Sequence, residues 1–112
     1  MQTRTVSVGP NATTPADSQW LRLDEWAGGQ VCFQCVVTGT VVYNVETTND
    51  DPNDPINPVA SPTWDSTLTG ITGSAQNTYN TIIGVPRYIK VNLTSGTGSV
   101  TMTVTQTLGA PF

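Results

Sequence analysis

Between Val85 and Leu108 apolar and polar residues alternate with a period of two. Ile89, Val91 and Leu93 share one face of the segment PRYIKVNLT, and Val100, Met102 and Val104 share one face of SVTMTVTQTL. Successive side chains of a strand point to opposite faces, so each run reads as a strand with one buried side. Ser95-Gly96-Thr97-Gly98 separates the two runs. A glycine-rich break between alternating runs predicts a β-hairpin.

The same reading extends toward the N-terminus. Residues 3–8 alternate with Val6 and Val8 on one face, and Gly9-Pro10 ends them. A polar arm follows over about residues 9–19. WLRLDEW then reads as a short strand, with Leu21, Leu23 and Glu25 opposite Trp20, Arg22 and Asp24. Beyond Ala27-Gly28-Gly29, QVCFQCVV and TVVYNVETT flank Thr38-Gly39 and predict a second hairpin, in which Val31, Phe33, Cys35 and Val37 match Val41, Tyr43 and Val45. These two strands are expected at the centre of the core, with Trp26 packed beside their start. Residues 49–63 form a long loop whose prolines, Pro52, Pro55, Pro58 and Pro62, exclude both a helix and a central strand. QNTYNTIIG supplies another strand, and Pro86 opens the one leading to the last pair. Seven to eight short strands and no helix predict one all-β domain over residues 1–112, a β-sandwich or jelly-roll-like barrel.

Composition narrows what such a domain can do. Charged residues are 11% of the chain, against about 25% in ordinary globular proteins, and Thr, Ser, Asn and Gly take their places. Neutral hydroxyls and amides lose less on desolvation than ions do, so this surface suits being covered by another molecule; Thr is also simply a good strand residue. The net charge is −4 and Arg4, Arg22, Arg87 and Lys90 are the only cations. That excludes a basic patch for nucleic acid. No apolar run is long enough to cross a bilayer, so no membrane partner is expected. MQTRTVSVGPNATTP lacks the apolar core of an export signal, and the expectation is a protein made in a cytoplasm. On that expectation the sequons at Asn11 and Asn92 are coincidental.

Candidate chemistry is sparse. His is absent, Lys90 is the single lysine, and no nucleophile elbow, phosphate loop or dinucleotide fingerprint occurs. The chain reads as non-enzymatic and without a cofactor. Cys32 and Cys35 have the spacing of a zinc or redox half-site, but residues three apart on a strand face opposite ways and no second ligand pair exists. They are expected to be two reduced, largely buried thiols. Asp50, Asp51 and Asp54, with Asn53, offer oxygen ligands for calcium without the spacing of an EF-hand; the alternative is a solvated acidic turn. Trp20, Trp26 and Trp64 are either packing residues or a platform for sugar rings.

WLRLDEWAGGQVCFQCVVTGTVVYNVETTNDD, the proline loop closing on SPTW, and VPRYIKVNLTSGTGSVTMTVTQ together cover most of the chain. In this succession of strands and turns the chain resembles the small all-β capsid decoration, or cement, proteins of tailed bacteriophages, departing from them in its long acidic proline loop. The resemblance implies a virion protein on the outer surface of the assembled head, commonly a homotrimer, that bridges subunits of the major capsid protein. Residues without a place in the core then become interface candidates. These are Asn11, Thr13 and Thr14 in the arm, Asp51, Asn53, Asp54 and Ile56 in the loop, and Trp64 as an aromatic anchor. Alternatives are a phage tail, fibre or head-completion component, or a carbohydrate-binding β-sandwich module.

Overall fold

The alternating segments form two antiparallel sheets packed face to face. The computed structural model describes residues 2–10, 13, 15–19, 21–23, 30–50, 66, 69–83 and 86–106. Its strands are β1 (Gln2–Val8), β2 (Ala16–Asp17), β3 (Leu21–Arg22), β4 (Gln30–Thr38), β5 (Val41–Thr48), β6 (Thr78–Ile83), β7 (Tyr88–Gly96) and β8 (Ser99–Gln106). Sheet A has the order β1-β8-β4-β6. In sheet B, β7 is flanked by β5 on one side and by β2 and β3 on the other.

Neither predicted hairpin forms. β4 pairs with β6 and β8 in sheet A, whereas β5 pairs with β7 in sheet B; β7 and β8 likewise belong to different sheets. The breaks at Gly39-Thr40 and Thr97-Gly98 are therefore arches that carry the chain from one sheet to the other. Alternation around a glycine break identifies two strands that bury their apolar faces in one core. It is satisfied equally by neighbours within a sheet and by strands facing each other across it, and the long-range pairing selects the second arrangement.

That pairing is continuous. Val31 faces Gln106 and Thr38 faces Ser99 in sheet A, and with the same offset Val41 faces Gly96 and Val42 faces Ser95 in sheet B, before a one-residue shift at Val42/Tyr43. Residues 31–48 and 88–106 thus form one two-stranded ribbon folded over at the arches into the two facing sheets of a β-sandwich. The two arches touch, with the Gly98 N–H donating to the Thr40 carbonyl at 3.0 Å.

Folding the ribbon brings its apolar sides together. Val31, Phe33 and Cys35 of β4 and Val100, Met102 and Val104 of β8 meet Val41, Tyr43 and Val45 of β5 and Ile89, Val91 and Leu93 of β7, all nearly inaccessible. Each fully buried Val, Leu, Ile, Phe or Met side chain contributes about 1.5–3 kcal/mol. Leu21 and Leu23 close one side of this core, and Arg22 between them is exposed, as the short alternation predicted. Ser18 explains why β2 and β3 are separate: its N–H donates to the Val91 carbonyl at 2.8 Å, but its Oγ, not a carbonyl, accepts from the Val91 N–H at 3.0 Å. On the far side of β5, Thr69 donates its hydroxyl to the Val45 carbonyl, and Tyr43 and Ser74 exchange backbone hydrogen bonds.

Candidate functional site

The outer face of sheet A follows from the same alternation. Residues out of phase with the core line up in rows across β1, β8, β4 and β6: Thr3, Thr105, Cys32 and Thr81; Thr5, Thr103, Gln34 and Tyr79; Ser7, Thr101 and Val36. Neighbouring hydroxyls of β1 and β8 lie 3.3–3.5 Å apart in each row. Cross-strand Thr and Ser pairs of this kind stabilise the sheet and hold the hydroxyls in a regular array. Val36 and Tyr79, 46% and 70% exposed, are the large apolar side chains exposed among the described residues, and both stand on this face.

No described charged residue lies there. Arg4 alternates with Thr3 and Thr5, points the other way, and donates to the Arg22 carbonyl of β3. The rest belong to sheet B or the segments beside it. On that sheet's outer side the Lys90 ammonium is 3.2 Å from Asp17 and 3.6 Å from Glu46, and the Asn92 amide donates to Asp17 at 2.7 Å. Lys90 is only 6% exposed. Alternation with Ile89 and Val91 directs it away from the core; its burial there, beside the two carboxylates that make a buried ammonium tolerable, is what the sequence did not reveal.

A groove of about 340 Å³ opens on sheet A between β4, β6 and β8. Gln30, Cys32, Phe33, Gln34, Tyr79, Thr103 and Thr105 line it. Apart from the Cys32 thiol its polar groups are amides and hydroxyls, which donate and accept hydrogen bonds without charge. The Cys32 sulfur is 3.4 Å from the Thr81 hydroxyl.

The two cysteines do face opposite ways. Cys35 is buried in the core and Cys32 is half-buried in the groove, more accessible than the sequence led us to expect. Burial pushes the Cys35 thiol above its ordinary range, and hydrogen bonding with Thr78 and Tyr43 offsets part of that. Thiolates are the reactive species. We therefore expect Ellman's reagent to titrate one thiol quickly, removed by Cys32→Ser, and the second only upon unfolding; equal rates for both would contradict these placements.

Of the residues selected from the sequence as interface candidates, Thr13 is described and is exposed. Asn11, Thr14, Asp51, Asn53, Asp54, Ile56 and Trp64 lie outside the described residues, as do Trp20 and Trp26. Of the calcium candidates Asp50 is described: it is half-buried and its N–H donates to the Thr48 hydroxyl at 3.1 Å. Among the described residues no three His, Cys, Asp or Glu side chains converge as metal ligands. Sequence reasoning missed Tyr79 and Gln34. The signal for Tyr79 was its phase, opposite to buried Ile82 in TYNTII. Comparison of the chain with protein-family models, curated proteins and solved structures gives no match.

Proposed function

We propose that the protein is a non-enzymatic virion protein, a decoration protein that binds the outer surface of an assembled phage head as a homotrimer and bridges major capsid subunits. The observation that carries this reading is the division of the sandwich into two unlike sides. The arm expected to reach partners runs into β2 and β3 on sheet B, and the loop at 49–63 leaves the end of β5 in that same sheet. Every described charge outside Arg4 lies on that sheet or beside it, whereas sheet A presents neutral hydroxyls and amides. On this reading sheet B faces the shell and sheet A faces outward.

The energetic logic suits such a protein. A ligand that binds only the assembled, expanded shell lowers that state's free energy by mass action. Repetition over symmetry-related sites lets modest contacts hold a large structure.

The test is sedimentation of expanded shells lacking the protein after mixing with it. Saturable binding on the order of hundreds of copies per shell is expected from the many equivalent sites. Protein remaining in the supernatant would overturn the reading, and a dozen copies or fewer would assign the chain to a tail or vertex. Deleting residues 53–60 is expected to weaken binding without unfolding the domain; unchanged binding would remove the loop from the contact.

A further inference from the structure

We infer that the groove on the outer face of sheet A is a binding site for a neutral oligosaccharide, with Tyr79 as the stacking platform and Gln30, Gln34, Thr103 and Thr105 as the hydrogen-bonding groups. It lies on sheet A, whereas β2, β3 and β5, which adjoin the segments proposed above to reach the shell, belong to sheet B; on that reading the groove stays open to solution in a shell-bound copy.

Four observations select this ligand class. First, the groove's volume of about 340 Å³ falls in the range of small-ligand sites. Second, Tyr79 is 70% exposed although aromatic side chains usually bury most of their surface. An exposed aromatic ring beside a groove offers an electron-rich face to the polarised C–H groups of a pyranose. Third, the polar lining consists of groups that each donate and accept, as a ring of sugar hydroxyls requires, and β-sheet register fixes their spacing. Fourth, the described residues of this face carry no charge. A phosphorylated, sulfated or carboxylated ligand would be desolvated there with no cation to pair with, so the complementary ligand is uncharged.

A protein partner fits this face less well. The apolar centre of a protein interface draws on several aromatic and aliphatic anchors, and Val36 and Tyr79 alone stand out here. A saccharide needs one platform and many hydroxyl partners. A single shallow site is expected to be weak, but display over a shell would multiply it through avidity.

The test uses full-length protein and four neutral probes: maltohexaose, cellohexaose, chitohexaose and mannohexaose. At least one is expected to shift the backbone amide resonances of Cys32, Gln34, Tyr79 and Thr103 saturably, with a Kd of about 1 mM or tighter. The same probe should slow alkylation of the Cys32 thiol by N-ethylmaleimide, because Cys32 lines the groove. Tyr79→Ala is expected to weaken binding about tenfold or more, a loss of about 1.4 kcal/mol, while Tyr79→Trp retains it. Tyr79 is exposed, so both variants should fold, and both should still bind shells. Absence of saturable shifts with all four probes would overturn the inference, as would shifts that survive Tyr79→Ala. Shell binding is read separately, so either proposal can fail without the other.

Discussion

Gly98→Ala is expected to destabilise the domain by about 4 kcal/mol or more, enough to leave most of a marginally stable chain unfolded. A Cβ at position 98 would lie 2.9 Å from the Thr40 nitrogen and closer still to the Thr38 carbonyl oxygen. Both are backbone atoms of the opposite arch, so no rotamer change relieves the overlap. Gly96 is constrained twice: its φ of +99° is one that L-residues rarely adopt, and a Cβ there would approach the Val41 Cα to 2.8 Å. Gly73→Ala is the matched control. Its φ is +64°, but nothing lies within 4 Å of the added carbon, so the expected loss is only the conformational one, about 1–2 kcal/mol. Urea denaturation of Gly98→Ala, Gly96→Ala and Gly73→Ala separates the cases. If Gly98→Ala and Gly73→Ala lost equal stability, the close crossing of the arches would be wrong.

The second large effect is expected at Tyr43, the largest fully buried side chain among the described residues. Its ring fills the space between the sheets, and its hydroxyl donates to the Gln76 carbonyl at 2.7 Å and lies 2.8 Å from the Thr78 hydroxyl. It thereby ties sheet B to the segment entering β6 of sheet A. Tyr43→Ala should lose about 3–5 kcal/mol through the cavity it leaves. Tyr43→Phe keeps the packing and should lose about 1 kcal/mol for the hydrogen bonds.

Loss of the Tyr43 hydroxyl also changes the response to alkaline solution. Burial raises both Tyr43 and Cys35 above their ordinary values of 10.0 and 9.0. Both groups are neutral when protonated. Above pH 9 the unfolded chain therefore releases protons that the folded one retains, and stability falls as pH rises. Below pH 9 this contribution is fully present. Thermal melts from pH 7 to pH 11 should show the fall in wild type and a shallower one in Tyr43→Phe, where only Cys35 remains; parallel curves would remove Tyr43 as a source.

What could be read from the sequence was the local part of the fold. The period-two phase of Ile89-Val91-Leu93 and of Val100-Met102-Val104 assigned strand, buried face and core membership together, because those depend only on neighbouring residues. Which strands pair depends on residues far apart in sequence. β4 finds β8 across more than half the chain, and nothing local to Gly39 distinguishes an arch from a turn. The glycines were visible, but the reason for them was not: Gly96 and Gly98 are required by the other arch. The candidate groove was hidden for a related reason. Gln34, Tyr79 and Thr103 are ordinary outward residues of three separate strands, and they become a site only when β6, β4 and β8 stand side by side.

The folded ribbon has a consequence for biosynthesis. While residues 30–48 leave the ribosome, their partners at 88–106 have not yet been made. The apolar strand β5 must therefore wait through the synthesis of residues 49–87 before β7 is made, and β4 through residues 39–98 before β8 is made. Long-range pairing of this kind closes slowly, and unpaired β edges invite association with other chains. Folding is thus deferred until nearly all of the ribbon has emerged. A release that stalls short of residue 106 would yield an aggregate-prone fragment instead of a smaller domain.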